Sequence, residues 1–221
     1  MRYATAGAFR KPLEQRLSTH SQQTGVPLVR LRKLVVFDRL IARLMAVSPN
    51  RWVLKGAVAL HFRIGPQFRT TKDMDIGRQD SEEAATADFL AAQSADVGDY
   101  FTFVIRRTRR LDPTVEGAAV RYHATAELGG RPFEDVTVDV GFGDPPVADP
   151  ELVRGPDLLS FADIPPAEVP ALPLEQHVAE RAAAIQGRHR GLAEQMQTGL
   201  RFLVAPVLER IGAGQHELRN S

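Results

Sequence analysis

The strongest constraint on the fold is a pair of alternating segments separated by two glycines. Residues 118–128 and 133–142 both alternate polar and apolar side chains, with Gly129-Gly130 between them. Because side chains along a β-strand point to opposite faces in turn, each segment is predicted to be a strand with one buried face. Two glycines supply the positive φ angles that a tight hairpin turn needs. The chain is therefore predicted to contain an antiparallel sheet.

Apolar residues at helical spacing predict two helices at the start of the chain. Phe9, Leu13 and Leu17 mark the first helix, Gly25-Val26-Pro27 ends it, and the second begins near Leu28. The apolar stripe of the second helix consists of Leu34, Phe37, Ile41 and Leu44. Its basic residues are interpreted as a solvated face, with a contact to RNA as the alternative. These residues are Arg30, Arg32, Lys33, Arg39 and Arg43.

Between these helices and the hairpin, short strands and helices are mixed. Trp52-Val53-Leu54 is predicted to be a strand that runs through a glycine turn into a helix over residues 58–62. Residues 72–76 and 102–105 are predicted to be further strands. A mixed α/β core with antiparallel pairing is expected.

Proline marks the expected boundary of this core. Eight of the 15 prolines lie between Pro145 and Pro173, which indicates an ordered crossing or linker without regular structure. Helices are predicted over residues 174–186 and 192–211, the second interrupted near Pro206. The expected organisation is an N-terminal helical segment (1–48), a core (49–145), and a proline-rich crossing with a C-terminal helical segment (146–221).

Composition excludes several function classes. The chain has 28 Lys and Arg against 27 Asp and Glu, so a basic surface for nucleic acid would have to be local. It has no cysteine, which excludes disulfides, thiol nucleophiles and cysteine-ligated zinc, and its six histidines lack metal-ligand spacing. No stretch approaches the ~20 apolar residues that cross a bilayer. A cytoplasmic protein with no membrane partner is expected.

The most chemically informative motif is Asp73-Met74-Asp75 in the strand predicted at residues 72–76. Alternation places both carboxylates on one face and turns Met74 and Ile76 into the core. Adjacent hard anionic oxygens are suitable ligands for Mg²⁺. Because Asp-x-Asp also occurs by chance, the interpretation depends on the surrounding sequence.

A glycine turn upstream supplies that context. Lys55-Gly56-Ala57 lies where a strand is predicted to enter a helix. Glycine permits close approach of the backbone, and the N–H groups that open a helix can face phosphate oxygens. A plain turn is the alternative.

Two further features could extend such a site. Asp139 alternates with buried valines on the second hairpin strand, so it could complete a carboxylate triad with Asp73 and Asp75, or simply face solvent. The run from Arg106 to Arg110 ends a predicted strand and would bind RNA phosphates or the tail of a nucleotide, the alternative being a solvated strand edge.

In this order, a glycine turn that opens a helix, Asp-x-Asp and a lone Asp on a later strand, the chain resembles the DNA polymerase β-like nucleotidyltransferase superfamily. The stretches Leu54-Lys55-Gly56-Ala57 and Arg69-Thr70-Thr71-Lys72-Asp73-Met74-Asp75-Ile76 resemble the opening signature of the AbiEii/AbiGii (MenT-like) toxins. Leu174-Glu175-Gln176 with Ala179-Glu180-Arg181 is similar to a later helical motif of that family. The resemblance covers about residues 51–186.

The resemblance implies a nucleotidyltransferase core with a mixed sheet and helical flanks. It implies Mg²⁺-dependent transfer from an NTP to RNA, often the 3′ end of tRNA, and a cognate antitoxin as partner. Asp73, Asp75 and Asp139 would hold metal and act in catalysis together with Arg181. The expected nucleotide-binding residues are Lys55, Gly56, Ala57, Thr71 and Lys72.

The chain departs from the family at two of these positions. Ala57 stands where a serine or another small residue is common, and Arg181 where lysine is usual. Arg181 can clamp a triphosphate but cannot act as a deprotonated base. Two alternatives therefore stay open: a catalytically impaired protein that binds RNA or an antitoxin, and an enzyme that modifies protein hydroxyls.

Overall fold

The computed structural model describes residues 2–65, 73–110, 118–143, 149–177 and 179. Within these residues the helices are α1 (Ala6–Thr24), α2 (Leu28–Val47), α3 (Gly56–Ile64) and α4 (Glu82–Ser94). The strands are β1 (Val53–Lys55), β2 (Asp73–Arg78), β3 (Phe101–Arg110), β4 (Ala118–Leu128), β5 (Pro132–Phe142), β6 (Glu151–Arg154) and β7 (Glu168–Ala171). A 3₁₀ turn, Ser160–Ala162, lies between β6 and β7.

The chain divides into two compact units, Met1–Pro173 and Leu174–Ser221. All of the elements named above belong to the first unit. In the second unit, residues 174–177 and 179 are described and are helical, where a helix over 174–186 is predicted. The rest of that helix and the predicted last helix lie outside the described residues.

The described strands form one mixed sheet of seven strands. Their order is β3-β4-β5-β2-β1-β7-β6. β2 pairs with β5 in parallel and β1 pairs with β7 in parallel, whereas the other neighbours are antiparallel. The parallel β2–β5 pair lies at the centre and joins the hairpin to the strand that carries Asp73 and Asp75.

The core lies between one face of this sheet and the helices. α2 packs against β5, β7, α1 and α4, and α4 packs against β3. The inward residues of the central strands are fully buried, as the period-two pattern requires. They include Leu54, Met74, Ile76, Val120, Tyr122, Val136, Val138 and Val140. The predicted fold class, mixed α/β with a mixed sheet and flanking helices, is confirmed.

The predicted hairpin is confirmed in detail. β4 and β5 pair from Ala118 with Phe142 to Glu127 with Pro132. Gly129 and Gly130 have φ angles of 62° and 69°, and the Leu128 N–H donates to the Arg131 carbonyl across the turn. This conformation is nearly free of strain only for glycine.

The interpretation of the basic residues on α2 as a solvated face is wrong for Arg39 and Arg43. Both side chains are almost fully buried. Arg43 donates to both oxygens of Asp99 at 2.7 Å, and Arg39 pairs with Asp38. The physical reason is that α2 is covered by the sheet and by other helices, so its apolar stripe is only part of its buried surface.

Two other parts of the chain were predicted incompletely. α4 was not predicted because it has no large apolar stripe. Its first turn is stabilised by Ser81, which accepts a hydrogen bond from the Ala84 N–H, and by the negative charges of Glu82 and Glu83 near the positive end of the helix dipole. The prediction that the proline-rich segment lacks regular structure is wrong, because β6 and β7 are paired strands and β7 extends the sheet beside β1. Most of the described prolines of this segment lie outside the two strands, where they interrupt no pairing. The described helices are too short or too polar to span a membrane.

We predict that the buried Arg43–Asp99 pair is a major contributor to stability. Asp99→Asn leaves the buried Arg43 guanidinium without its counter-charge, which should lower the free energy of unfolding by about 3–5 kcal/mol. Urea unfolding followed by fluorescence of Trp52, the only tryptophan and fully buried, would measure it.

The control is Glu168→Gln, which breaks an exposed pair with Arg154. Exposed pairs contribute at most about 1 kcal/mol, so this variant should unfold almost as the wild type does. Equal effects of the two substitutions would contradict the assignment.

Candidate functional site

A row of four charged residues crosses the centre of the sheet on the face opposite the core. Lys55 on β1 is the register partner of Asp75 on β2, Asp75 is the partner of Asp139 on β5, and Asp139 is the partner of Arg121 on β4. Direct partners share a face, and neighbouring strands are about 4.8 Å apart. Two carboxylates therefore lie side by side between two cations.

Asp73 lies on the same face, one row away. It pairs with Thr137 on β5, while Met74 and Ile76, the alternate residues of β2, are buried in the core. The side chain of Asp73 is 43% exposed. The predicted orientation of Asp73 and Asp75 is thus confirmed, and β5 brings Asp139 next to them.

The glycine turn lies directly against Asp75. Gly56 is the first residue of α3 and has a φ of 62°. A Cβ at this position would lie 1.9 Å from Asp75 Oδ2. Glycine is therefore required twice, once by the backbone conformation and once by the closeness of the carboxylate.

A buried histidine of α3 contacts a carbonyl in the first turn of the same helix. His61 Nδ1 lies 2.7 Å from the Ala57 carbonyl, and Nε2 faces the guanidinium of Arg30. His61 therefore connects the first turn of α3 to Arg30 of α2. This contact lies in the same turn of α3 that stands against Asp75.

Lys55 extends along the sheet past Asp75. Its Cε would lie 2.8 Å from a Cβ placed on Gly77, so the absence of a side chain at residue 77 leaves room for the lysine. Its Nζ lies 3.5 Å from the same point, so the ammonium group stands beside Gly77, two residues beyond Asp75 on β2. The predicted phosphate contact of Lys55, Gly56 and Ala57 stays a prediction.

Arg121 is the functional candidate that the sequence did not indicate. Its Nε and Nη2 donate to the two oxygens of Asp139, each at 2.7 Å, and Nη2 lies 4.0 Å from Asp73 Oδ2. The hydrogen bonds to Asp139, followed by the charges of Asp139, Asp73 and Asp75, raise the pKa of the guanidinium against the effect of burial. Arg121 therefore stays charged among all three carboxylates.

The donor set fits a hard divalent cation. Three carboxylates supply only oxygen, which Mg²⁺ prefers, and the close approach at Gly56 leaves no side chain between Asp75 and the helix start. No group of three or more carboxylates or histidines is gathered as a metal site within the described ranges. Arg121 donates to both oxygens of Asp139, and the metal roles of Asp73, Asp75 and Asp139 stay predictions.

The basic run from Arg106 to Arg110 lies on β3, an edge strand of the sheet. Arg106 is exposed and is the register partner of His123, whose own partner is Thr137 beside Asp73. Arg107 points to the other face and pairs with Glu82. Of these two arginines, Arg106 is the one that extends the row of Asp73.

Three predicted site residues lie outside the described residues. These are Thr71, Lys72 and Arg181, and their proposed roles stay predictions.

The comparison with protein families bears on this geometry. Residues 39–196 match the family described as nucleotidyl transferase AbiEii toxin of type IV toxin–antitoxin systems. The chain belongs to the AbiEii family. The match contains the glycine turn and all of the candidate carboxylates, and it confirms the family resemblance of the sequence.

Solved structures similar to this AbiEii-family chain are distant. JHP933 from Helicobacter pylori is 14% identical with a TM-score of 0.43, and the match covers 67% of this chain and 53% of that one. A proposed nucleotidyltransferase from Thermotoga maritima, TM1012, is 16% identical with a TM-score of 0.37, covering 78% and 95%. This chain spans about half the length of the H. pylori proteins it matches. No curated protein sequence matches it.

We predict that Gly56 is essential to the site of this AbiEii-family protein. Gly56→Ala adds a Cβ that must displace the Asp75 carboxylate, so nucleotide-dependent activity should fall by roughly 10²-fold or more, the scale seen when a preorganised group at a reacting centre is misplaced. Activity and the unfolding midpoint would be measured together.

Gly98→Ala separates backbone strain from the clash. Gly98 has a φ of 68° but open space where a Cβ would stand. It should lose about 1 kcal/mol of stability, the cost of a left-handed alanine, and keep its activity. If Gly56→Ala behaves in the same way, the contact with Asp75 has no functional role.

Proposed function

We propose that this protein is a Mg²⁺-dependent nucleotidyltransferase toxin that transfers nucleotides from an NTP to RNA, the 3′ end of tRNA being the expected acceptor, and thereby blocks translation. The observation that supports this most directly is the register that brings Asp73, Asp75 and Asp139 together beside the start of α3. NTP and tRNA are cytoplasmic molecules, so the cytoplasm is the expected location. A cognate antitoxin is the expected protein partner.

The proposed site has separate positions for the metal and the phosphates. Asp73 and Asp75 would hold Mg²⁺, which would neutralise charge on the triphosphate. The N–H groups of Gly56 and Ala57 open a nine-residue helix and would donate to phosphate oxygens. Lys55 begins the same row, and its ammonium group beside Gly77 adds positive charge to this face of the sheet.

The transfer itself requires an acceptor hydroxyl in line with the α-phosphorus. The hydroxyl oxygen forms the new P–O bond, and the bond from the α-phosphorus to pyrophosphate breaks. Asp139 lies beside Asp75, where it would orient the hydroxyl and accept its proton. Thr71, Lys72 and Arg181 are proposed to complete the contacts to the nucleotide.

The position of Arg106 supports an extended acceptor over one edge of the sheet. Its row runs through His123 and Thr137 to Asp73, a distance of three strand spacings, about 14 Å. An exposed arginine at that distance is suited to a phosphate one or two nucleotides from the reacting end.

We predict that Asp73→Asn and Asp75→Asn each lower transfer by roughly 10²-fold or more, because an amide keeps the shape but removes the charge that holds the metal. The measurement is incorporation of labelled NTP into total tRNA in the presence of Mg²⁺. Growth inhibition in the producing cell should be lost in parallel.

Asp135→Asn is the matched control. Asp135 lies on the same strand and face as Asp139 but four residues away, with an exposed carboxylate next to Thr125. This variant should keep its activity. If Asp73→Asn and Asp75→Asn also transfer nucleotides at the wild-type rate, the metal assignment is wrong; if labelled protein appears in place of labelled RNA, the acceptor is wrong.

A further inference from the structure

The pairing of β4 with β5 does not require the contact between Arg121 and Asp139. β4 and β5 are already joined by a continuous antiparallel ladder on both sides of these residues. An ion pair with a 36% exposed arginine adds little to stability by itself. The guanidinium nevertheless takes both oxygens of the one carboxylate that stands beside Asp75.

This arrangement has consequences for a metal ion. A carboxylate offers about four lone-pair positions, and a bidentate arginine uses one on each oxygen. A divalent cation bound at Asp139 would also stand close to the guanidinium and be repelled by it. Nη2 reaches to 4.0 Å from Asp73, so the same positive charge acts on the other end of the site.

We propose that Arg121 is the internal counter-cation of the carboxylate site, and that a divalent cation held by Asp73 and Asp75 competes with its guanidinium for the neighbouring carboxylate of Asp139. This proposal rests on the proposed function. Arg121 acts through Asp139 and is a positioning residue. In the absence of nucleotide it holds the three carboxylates together, which makes binding of a metal ion alone weak.

A triphosphate changes the balance of this competition. It brings about four negative charges into the site and offers the guanidinium another bidentate anion, which arginine binds well. Release of Asp139 then makes that carboxylate available to the acceptor hydroxyl. Metal and nucleotide should therefore each strengthen binding of the other, by the same factor.

The test measures Mn²⁺ affinity by calorimetry on the full chain, with and without a non-hydrolysable NTP analogue. Arg121→Gln should bind Mn²⁺ without nucleotide on the order of tenfold more tightly than wild type, within the usual range of such couplings. The strengthening of Mn²⁺ binding by the analogue should shrink in this variant.

Arg32→Gln is the matched control, since Arg32 also makes two hydrogen bonds to a carboxylate, that of Glu14, at similar exposure. It should leave Mn²⁺ affinity unchanged. Arg121→Lys keeps the charge without the bidentate geometry, so its Mn²⁺ affinity should fall between those of wild type and Arg121→Gln. This variant provides a second measurement if the glutamine variant does not fold.

Unchanged or weaker Mn²⁺ binding in both Arg121 variants would overturn the proposal, because an arginine that only supports Asp139 would give that result. Asp73→Asn and Asp75→Asn separate this failure from that of the proposed function. If these two lose Mn²⁺ binding while the Arg121 variants match wild type, only the competition is wrong. If they keep it, the metal assignment is wrong as well.

Discussion

The parallel pairing of β2 with β5 is the constraint on which the rest of the site depends. It places Asp75 opposite Asp139, and its neighbours Met74 and Ile76 on the buried face with Val138 and Val140. A shift of one residue would bury the carboxylates and expose the apolar side chains. The stability of the core and the composition of the site are therefore enforced by the same register.

The N-terminal helices α1 and α2 contact the sheet and the helix that follows the glycine turn. Phe9 of α1 stacks on Phe161 of the 3₁₀ turn. Arg43 of α2 donates to Asp99 and to the Phe101 carbonyl at the start of β3. α2 also carries Arg30, which orients His61 beneath the first turn of α3. Support for the glycine turn thus comes from a helix that the sequence places well before the family motif.

Prediction from the sequence succeeded where local patterns were sufficient. The alternation around Asp73 and Asp75 and the Gly129-Gly130 turn determine strand faces and the hairpin without knowledge of the rest of the fold. Arg121 could not be found in this way. The alternation in Val120-Arg121-Tyr122 is typical of any half-buried strand, and Asp139 becomes the partner of Arg121 only through the β4–β5 register. Arg39 and Arg43 are buried because several elements surround α2. Helical periodicity shows where the apolar stripe of a helix lies, but it does not show how many elements cover that helix.

The central claim is that Asp73 and Asp75 bind a metal–nucleotide complex. A crystal structure with Mn²⁺ and a non-hydrolysable NTP analogue, with the metal located by anomalous scattering, tests it most directly. The account predicts Mn²⁺ in contact with the carboxylates of Asp73 and Asp75, with the phosphates against the N–H groups of Gly56 and Ala57. A metal–triphosphate complex that touches neither carboxylate would contradict it.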